Sequence, residues 1–218
     1  MRERSQYPSD VAFTPAVKAQ QARLGSRTAY ARMEEAGSWE TRVTPELAAF
    51  LARQRSFFLA TASREGQPYV QHRGGPPGFV KVLDAGRLAF ADFAGNRQYV
   101  SMGNLAENPR AQLFFIDYGT RERIKVWGRA RMVEDDPALL AQLAMPGYRA
   151  RVERAFVLDV QAWDANCPQH IPLRLEAAEV EAELAIRDLR IAELEARLLE
   201  LGQGADLSSR ADRKRRDS

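Results

Sequence analysis

The sequence predicts a mainly β domain with helices: a small antiparallel barrel of six strands, preceded by an N-terminal helical arm and followed by a long C-terminal helix. Three patterns predict it. Short apolar or alternating runs recur between turn signals from Phe57 to Gln161, and residues 123–133 alternate strictly. From Leu173 to Leu201 the apolar positions instead step by four and three alternately, the spacing of a heptad seam.

The stretch over residues 1–43 is polar and mixed, an arm in which Ala16 to Gly37 is expected to form one or two short helices. Thr44-Pro45-Glu46 combines a capping hydroxyl, a proline at the first helical position and an acid in the first turn, so a helix starts there and buries Leu47, Phe50 and Leu51. Phe57 to Ala62 and Pro68 to Arg73 form a hairpin around Ser63-Arg64-Glu65-Gly66. Phe79 to Leu83 and Arg87 to Phe93 form a second around Asp84-Ala85-Gly86. A short helix over Gln98 to Glu107 stops at Asn108-Pro109, and Ala111 to Tyr118 then pairs with Arg123 to Val133.

In that last strand Ile124, Val126, Gly128, Ala130 and Met132 share one face, while Arg123, Lys125, Trp127, Arg129 and Arg131 share the other, which makes the first face buried. Asp136-Pro137 opens another helix, and Phe156, Leu158 and Val160 alternate in a final strand. Closing such strands into a barrel removes their exposed edges. The expected organisation is an arm over 1–43, a barrel domain over 44–172, an amphipathic helix over 173–201 ended by Gly202, and a basic disordered tail over 202–218. The helix carries an intruding Arg187 in its seam, and both pairing with a partner chain and packing along the barrel remain open for it.

Composition narrows the function. A hydrophobic fraction of 45% with 28% charged residues suits a packed globule with a soluble surface. No stretch reaches the roughly 20 apolar residues of a membrane span, and the first residues lack a signal-type apolar run, so a cytoplasmic protein without membrane contact is expected. The lone Cys167 fits a reducing compartment. The net charge of +3 is partly local to the tail, and nucleic acid is not an expected partner. Phosphate-loop, zinc-protease and serine-hydrolase motifs are absent, and His72, His170 and Cys167 do not have the spacing of a metal site.

Two stretches depart from the barrel pattern. In the first, the strand residues Gln71, His72 and Arg73 run into Gly74 and Gly75, where glycine allows close backbone approach to a flat or charged ligand. An ordinary bulged turn fits this stretch equally well. In the second, Asp92 ends a strand, and Asn96, Arg97 and Gln98 stand at the start of a helix, an arrangement suited to a phosphate monoester.

Taken in order, Gly66-Gln67-Pro68-Tyr69, the basic strand after it, Leu88 to Gln98, and Leu105-Ala106-Glu107-Asn108-Pro109-Arg110-Ala111 resemble the core of pyridoxamine 5′-phosphate oxidase-like flavoproteins, over Thr44 to Arg174. The resemblance implies a six-stranded split barrel, FMN as cofactor, and a homodimer whose interface completes two equivalent sites. It places Arg97 and Gln98 at the phosphate-binding pair and His72 or Arg73 near a flavin-lining strand arginine. By the same resemblance Lys125 and Trp127 contribute across the dimer, while Gln169 and His170 approach the flavin ring.

The sequence also departs from the authentic oxidases. Gln98 stands where a second basic residue is usual, Gly74 to Gly78 replaces a regular strand, and the C-terminal arginine and histidine pattern for the vitamin substrate is missing. Trp163 to Ile171, with Cys167-Pro168-Gln169-His170 inside it, looks like the mark of a separate subgroup. The expectation is an FMN-dependent oxidoreductase or electron carrier of unknown substrate, with no assigned catalytic residue. Its rivals are a non-catalytic flavin-binding or partner-binding module, and a barrel that takes deazaflavin or haem.

Overall fold

The computed structural model describes residues 7–166 and 168–216. The chain divides into two compact units, Met1–Ile171 and Pro172–Ser218. In the first unit the strands are β1 (Ser56–Ala62), β2 (Pro68–Gly74), β3 (Lys81–Asp84), β4 (Arg87–Phe93), β5 (Arg110–Asp117), β6 (Glu122–Val133) and β7 (Val152–Asn166). They form one antiparallel sheet in the order β2-β1-β5-β6-β7-β4-β3.

The sheet has seven strands, one for each strand-forming run read in the sequence and one more than the six of the expected barrel. The short β3 pairs only with β4 around a turn where Asp84 accepts from the Gly86 amide at 2.8 Å and from Arg87 Nε at 2.7 Å. No ladder among the described residues joins β2 to β3, so the sheet keeps two edges and the barrel is split.

Helix α3 (Pro45–Arg53) begins as predicted, with Thr44 Oγ1 accepting from the Leu47 amide at 3.3 Å and Leu47, Phe50 and Leu51 buried. Their side chains join Phe57, Leu59, Phe90, Phe115, Val126 and Phe156 in the main core. The β6 alternation also holds: Ile124, Val126 and Ala130 are buried, whereas Arg129 and Arg131 are exposed. Gly128 sits at the β6–β7 register shift, where a Cβ would come within 2.3 Å of the Asp159 carbonyl oxygen and 2.9 Å of Leu158 side-chain atoms. Close backbone approach therefore requires glycine there.

The arm is more ordered than its loose apolar spacing suggests. After a 3-10 turn at Pro8–Val11, helices α1 (Pro15–Arg23) and α2 (Arg27–Glu35) meet around Glu34, which is 6% exposed and takes Ser9 Oγ at 3.2 Å, Lys18 Nζ at 3.3 Å and Arg27. A chain of rings then carries the arm onto the sheet: Tyr30 on Phe13, Phe13 on Trp39, and Trp39 stacked on Trp127 with centroids 4.8 Å apart. Charged and aromatic contacts hold this segment, and apolar periodicity does not detect them.

Between β4 and β5 lies α4 (Val100–Glu107), and before β7 lies α5 (Pro137–Leu143), capped by Asp136 Oδ1 accepting from the Leu139 amide at 3.0 Å. In the second unit α6 spans Ala177–Arg216. It starts four residues after Leu173 and continues through Gly202 to Arg216, in the segment expected to be a disordered tail. Glycine costs a helix only about 1 kcal/mol relative to alanine, too little to force an end when no chain-terminating motif follows. Val180, Leu184, Ile191, Leu194 and Leu198 of its seam are exposed. Among the described residues no helix is long and apolar enough to cross a membrane.

Gly128→Ala should lower the stability of the domain by about 2 kcal/mol, in the range of overpacked cores. Urea denaturation checks this, and an unchanged midpoint would show that β6 and β7 can separate at little cost.

Candidate functional site

The strand alternation of β2 decides which of its polar residues can act together. Tyr69, Gln71 and Arg73 point to one side, and Val70 and His72 are exposed on the other, where the His72 ring meets Phe58 edge-on at 5.8 Å. The first set lines a cleft of about 280 Å³ with Asp92 and Phe93 of β4, the loop 95–99, the first turn of α4, Met132 of β6, and Glu153 and Arg154 of β7. In the sheet order β2 and β4 are far apart, so only the curl of the sheet brings these side chains face to face.

Charge organises the cleft. Arg73 Nη1 donates to Asp92 Oδ1 at 2.7 Å, and Arg154 Nε lies 3.3 Å from Asp92 Oδ2. Arg73 Nε is buried without a hydrogen-bond partner. Ser101 Oγ donates to Gln71 Oε1 at 3.1 Å and Asn104 Nδ2 to Thr61 Oγ1 at 3.0 Å, which ties α4 to the β2 and β1 side of the cleft.

The loop into α4 is conformationally costly. Arg97 and Tyr99 adopt φ of 59° and 55°, left-handed values that cost non-glycine residues free energy and collect at functional sites. Asn96 Oδ1 accepts from the Gln98 amide at 3.3 Å. Tyr99 is the N-cap of α4 and makes no side-chain cap, while Val100, Ser101 and Met102, the first turn, border the cleft. This helix therefore starts two residues later than the sequence predicts, because the two left-handed residues precede it. Arg97 is exposed beside that turn, so a guanidinium and the positive end of a helix face the same space, a combination suited to an oxyanion.

Of the residues predicted as a site, Gln71, Arg73, Asp92, Asn96, Arg97 and Gln98 come together here. The others do not line this cleft. Gly74 ends β2 opposite Ser56, and Gly75 follows it on a turn whose requirement for glycine is internal: a Cβ on Gly75 would stand 2.7 Å from the Phe79 ring, which stacks on Phe57. Packing, rather than a ligand, accounts for that glycine. Lys125 and Trp127 lie on the outer face of β6, where Trp39 covers Trp127. Gln169 and His170 are exposed in a turn beyond β7, with His170 at φ 64°. Cys167 lies outside the described residues. Among the described residues no group of three or more metal-ligating side chains stands together.

The sequence reading misses Tyr69, Tyr99, Ser101, Glu153 and Arg154. The alternation of β2 identifies Tyr69 as a neighbour of Gln71 and Arg73, since residues two apart share a face. Arg154 carried no comparable signal, because its pairing with Asp92 depends on the β4–β7 register, in which those two residues are directly opposed.

Comparison with known proteins now adds to the geometry. The sheet, the strand-to-helix loop and the cleft describe a small antiparallel split barrel with an arginine-bearing rim. The family model described as pyridoxamine 5′-phosphate oxidase matches residues 43–181, and the chain belongs to that family. Among solved structures the chain is similar to Group A Streptococcus HupZ, at 14% identity over 61% of this chain and 98% of that one, with a TM-score of 0.47. It is also similar to a putative pyridoxamine 5′-phosphate oxidase from Lactobacillus delbrueckii, at 21% identity over 57% and 95% of the two chains, TM-score 0.45. An FMN-binding protein from Syntrophomonas wolfei shares 12% identity over 67% and 97%, TM-score 0.46. No curated protein matches.

One ionisable group outside the cleft bears on the outer face. Asp164 of β7 stands opposite Lys125, and burial pushes its carboxyl pKa up, with Lys125 pulling against that rise. A carboxyl whose pKa is higher in the folded than in the unfolded chain destabilises the fold increasingly as pH rises through the unfolded value, and fully above the folded one. Asp164→Asn should therefore be more stable than the parent at neutral pH, and the difference should vanish in acid. Thermal unfolding against pH checks this; a difference that does not change with pH would show that burial of Asp164 carries no penalty.

Proposed function

We propose that this chain is an FMN-binding flavoprotein acting as an oxidoreductase or electron carrier, with the phosphate held at the rim of the cleft. The observation that carries the reading is the convergence of Arg97, the uncapped first turn of α4 and Arg73 on one cleft. Membership of the pyridoxamine 5′-phosphate oxidase family supports it. The residues fit such a group: Arg73 has a buried Nε without a partner, Asn96 and Gln98 offer amide groups beside Arg97, and three arginines outnumber the two acids that line the cleft.

When bound, the flavin supplies hydride or single-electron chemistry. The chain's own residues bind and orient. Arg97 and the α4 amides neutralise the phosphate, Gln71 and Ser101 present polar atoms along the cleft wall, and Tyr69 and Met132 offer apolar surface. Deazaflavin or haem remains the alternative cofactor: neither histidine lines the cleft, but Tyr69, Tyr99 and Met132 do, and such side chains can ligate haem iron. A non-catalytic binding module is the alternative role. The missing vitamin-binding pattern separates the reading from vitamin B6 oxidation, and the substrate class stays unassigned.

A homodimer belongs to the same proposal. The cleft measures about 280 Å³ in one chain, at the lower end of the roughly 300 to 1,000 Å³ of pockets that take whole organic ligands. It has room for a phosphate and polyol chain, and a second copy would supply cover for the ring.

Arg97→Ala should weaken FMN binding by about 1.5–3 kcal/mol through loss of a charge-assisted contact. Fluorescence titration with FMN measures it, and an unchanged dissociation constant would remove Arg97 from the phosphate site. Light scattering should give twice the chain mass of 24.5 kDa at micromolar concentration. A monomer that still retains FMN would contradict the shared pocket.

A further inference from the structure

Arg154 belongs to no motif in the sequence, yet it is only 7% exposed and lies at the back of the cleft. Its Nε stands 3.3 Å from Asp92 Oδ2 and 3.8 Å from Glu134 Oε1, its Nη2 2.8 Å from Glu153 Oε2, and its guanidinium 5.1 Å from the centre of the Tyr99 ring. Asp92 gives its other oxygen to Arg73 Nη1. One carboxylate is therefore shared between two arginines from opposite sides of the cleft, and one of those arginines also holds the residue that opens α4.

We propose that Arg154 is the positioning residue of this cleft: it keeps Asp92 from closing fully on Arg73 and anchors the left-handed Tyr99 at the entry to α4, so that Arg73 and the helix amides are preset for an anion. A carboxylate offered a single arginine often takes it in a two-pronged pair. The unpartnered Nε leaves the Nε–Nη2 edge of Arg73 open for such a pair, and Asp92 can turn onto that edge from Nη1 once Arg154 no longer holds its other oxygen. Without Arg154, Asp92 would occupy both prongs, and the charge of Arg73 would be spent inside the protein. Tyr99 would at the same time lose the cation that faces its ring, a contact of the cation–π kind. Both consequences fall on the surfaces that face the cleft. Arg154 thus acts through Asp92 and Tyr99, and the identity of the anion rests on the FMN reading above.

The test uses the full chain and its variants R154Q, R154K and R154Q/D92N, each checked for folding by circular dichroism. Binding of FMN, riboflavin and inorganic phosphate is measured beside hydrogen exchange of the ligand-free chain. R154Q should bind FMN about tenfold more weakly, a coupling typical of residues in one charged network, while riboflavin binding stays the same. Exchange at residues 99–102 should quicken in the absence of any ligand. R154K, which keeps the charge but not the fork, should fall between, and it carries the test if R154Q does not fold. Removing the Asp92 charge frees Arg73, so R154Q/D92N should recover part of the lost phosphate affinity. Parental exchange at residues 99–102 in R154Q, or a double variant no better than R154Q, would overturn the proposal. If the parent binds neither FMN nor phosphate, the flavin reading fails, and the exchange comparison still decides whether Arg154 positions Tyr99.

Discussion

The ion pair between Arg73 and Asp92 joins parts of the sheet that no backbone ladder joins. Arg73 stands on the edge strand β2 and Asp92 on β4, next to the opposite edge, and their 2.7 Å contact crosses the opening of the split barrel. Both side chains are largely shielded, at 18% and 16% exposed, so their attraction is less screened than that of a surface pair. The cleft exists where this pair spans the gap, and α4 closes one side through Ser101 on Gln71 and Asn104 on Thr61. A barrel closed by hydrogen-bonded strands would leave no room there. The split and the site have the same physical origin.

The strands and their faces were legible because a half-buried strand must alternate, and Ile124 to Met132 does so without interruption. The start of α3 was legible from Thr44 and Pro45, since capping chemistry is local. What stayed hidden depends on partners distant in sequence. The order of Trp39 on Trp127 follows from a stack between residues 88 positions apart in the chain. The ordering of the arm follows from the buried Glu34, whose partners lie on separate turns and helices. Arg154 became visible only once the β4–β7 register placed it opposite Asp92. The site was half legible for the same reason: Asn96, Arg97 and Gln98 are contiguous and Gln71 and Arg73 stand in one strand, whereas Glu153 and Arg154 come from the distant β7. Gly75 was ambiguous because a glycine required by the Phe79 ring looks, in sequence, like one required by a ligand.

The domain therefore presents two different faces. Inside the curl lie charged groups held in a shared network, with a strained loop and a helix start turned toward them. On the outer face of β6, Lys125 and Trp127 stand beside a folded arm that covers the indole. The family resemblance assigns both faces to one cofactor in a two-chain pocket. In a single chain they are separate: the inner one joins a helix start to Arg97 and the unpartnered Arg73 Nε, whereas the outer one has the unpartnered Arg123 Nε without a helix start lining a cleft beside it. Function therefore turns on whether the inner face takes a phosphate ester.

The absorption spectrum of the protein after mixing with FMN and removing the unbound ligand by gel filtration tests this most directly. Oxidised-flavin bands that travel with the protein, and that are lost when riboflavin replaces FMN, are the result this account predicts. A protein that emerges colourless from both mixtures would contradict it.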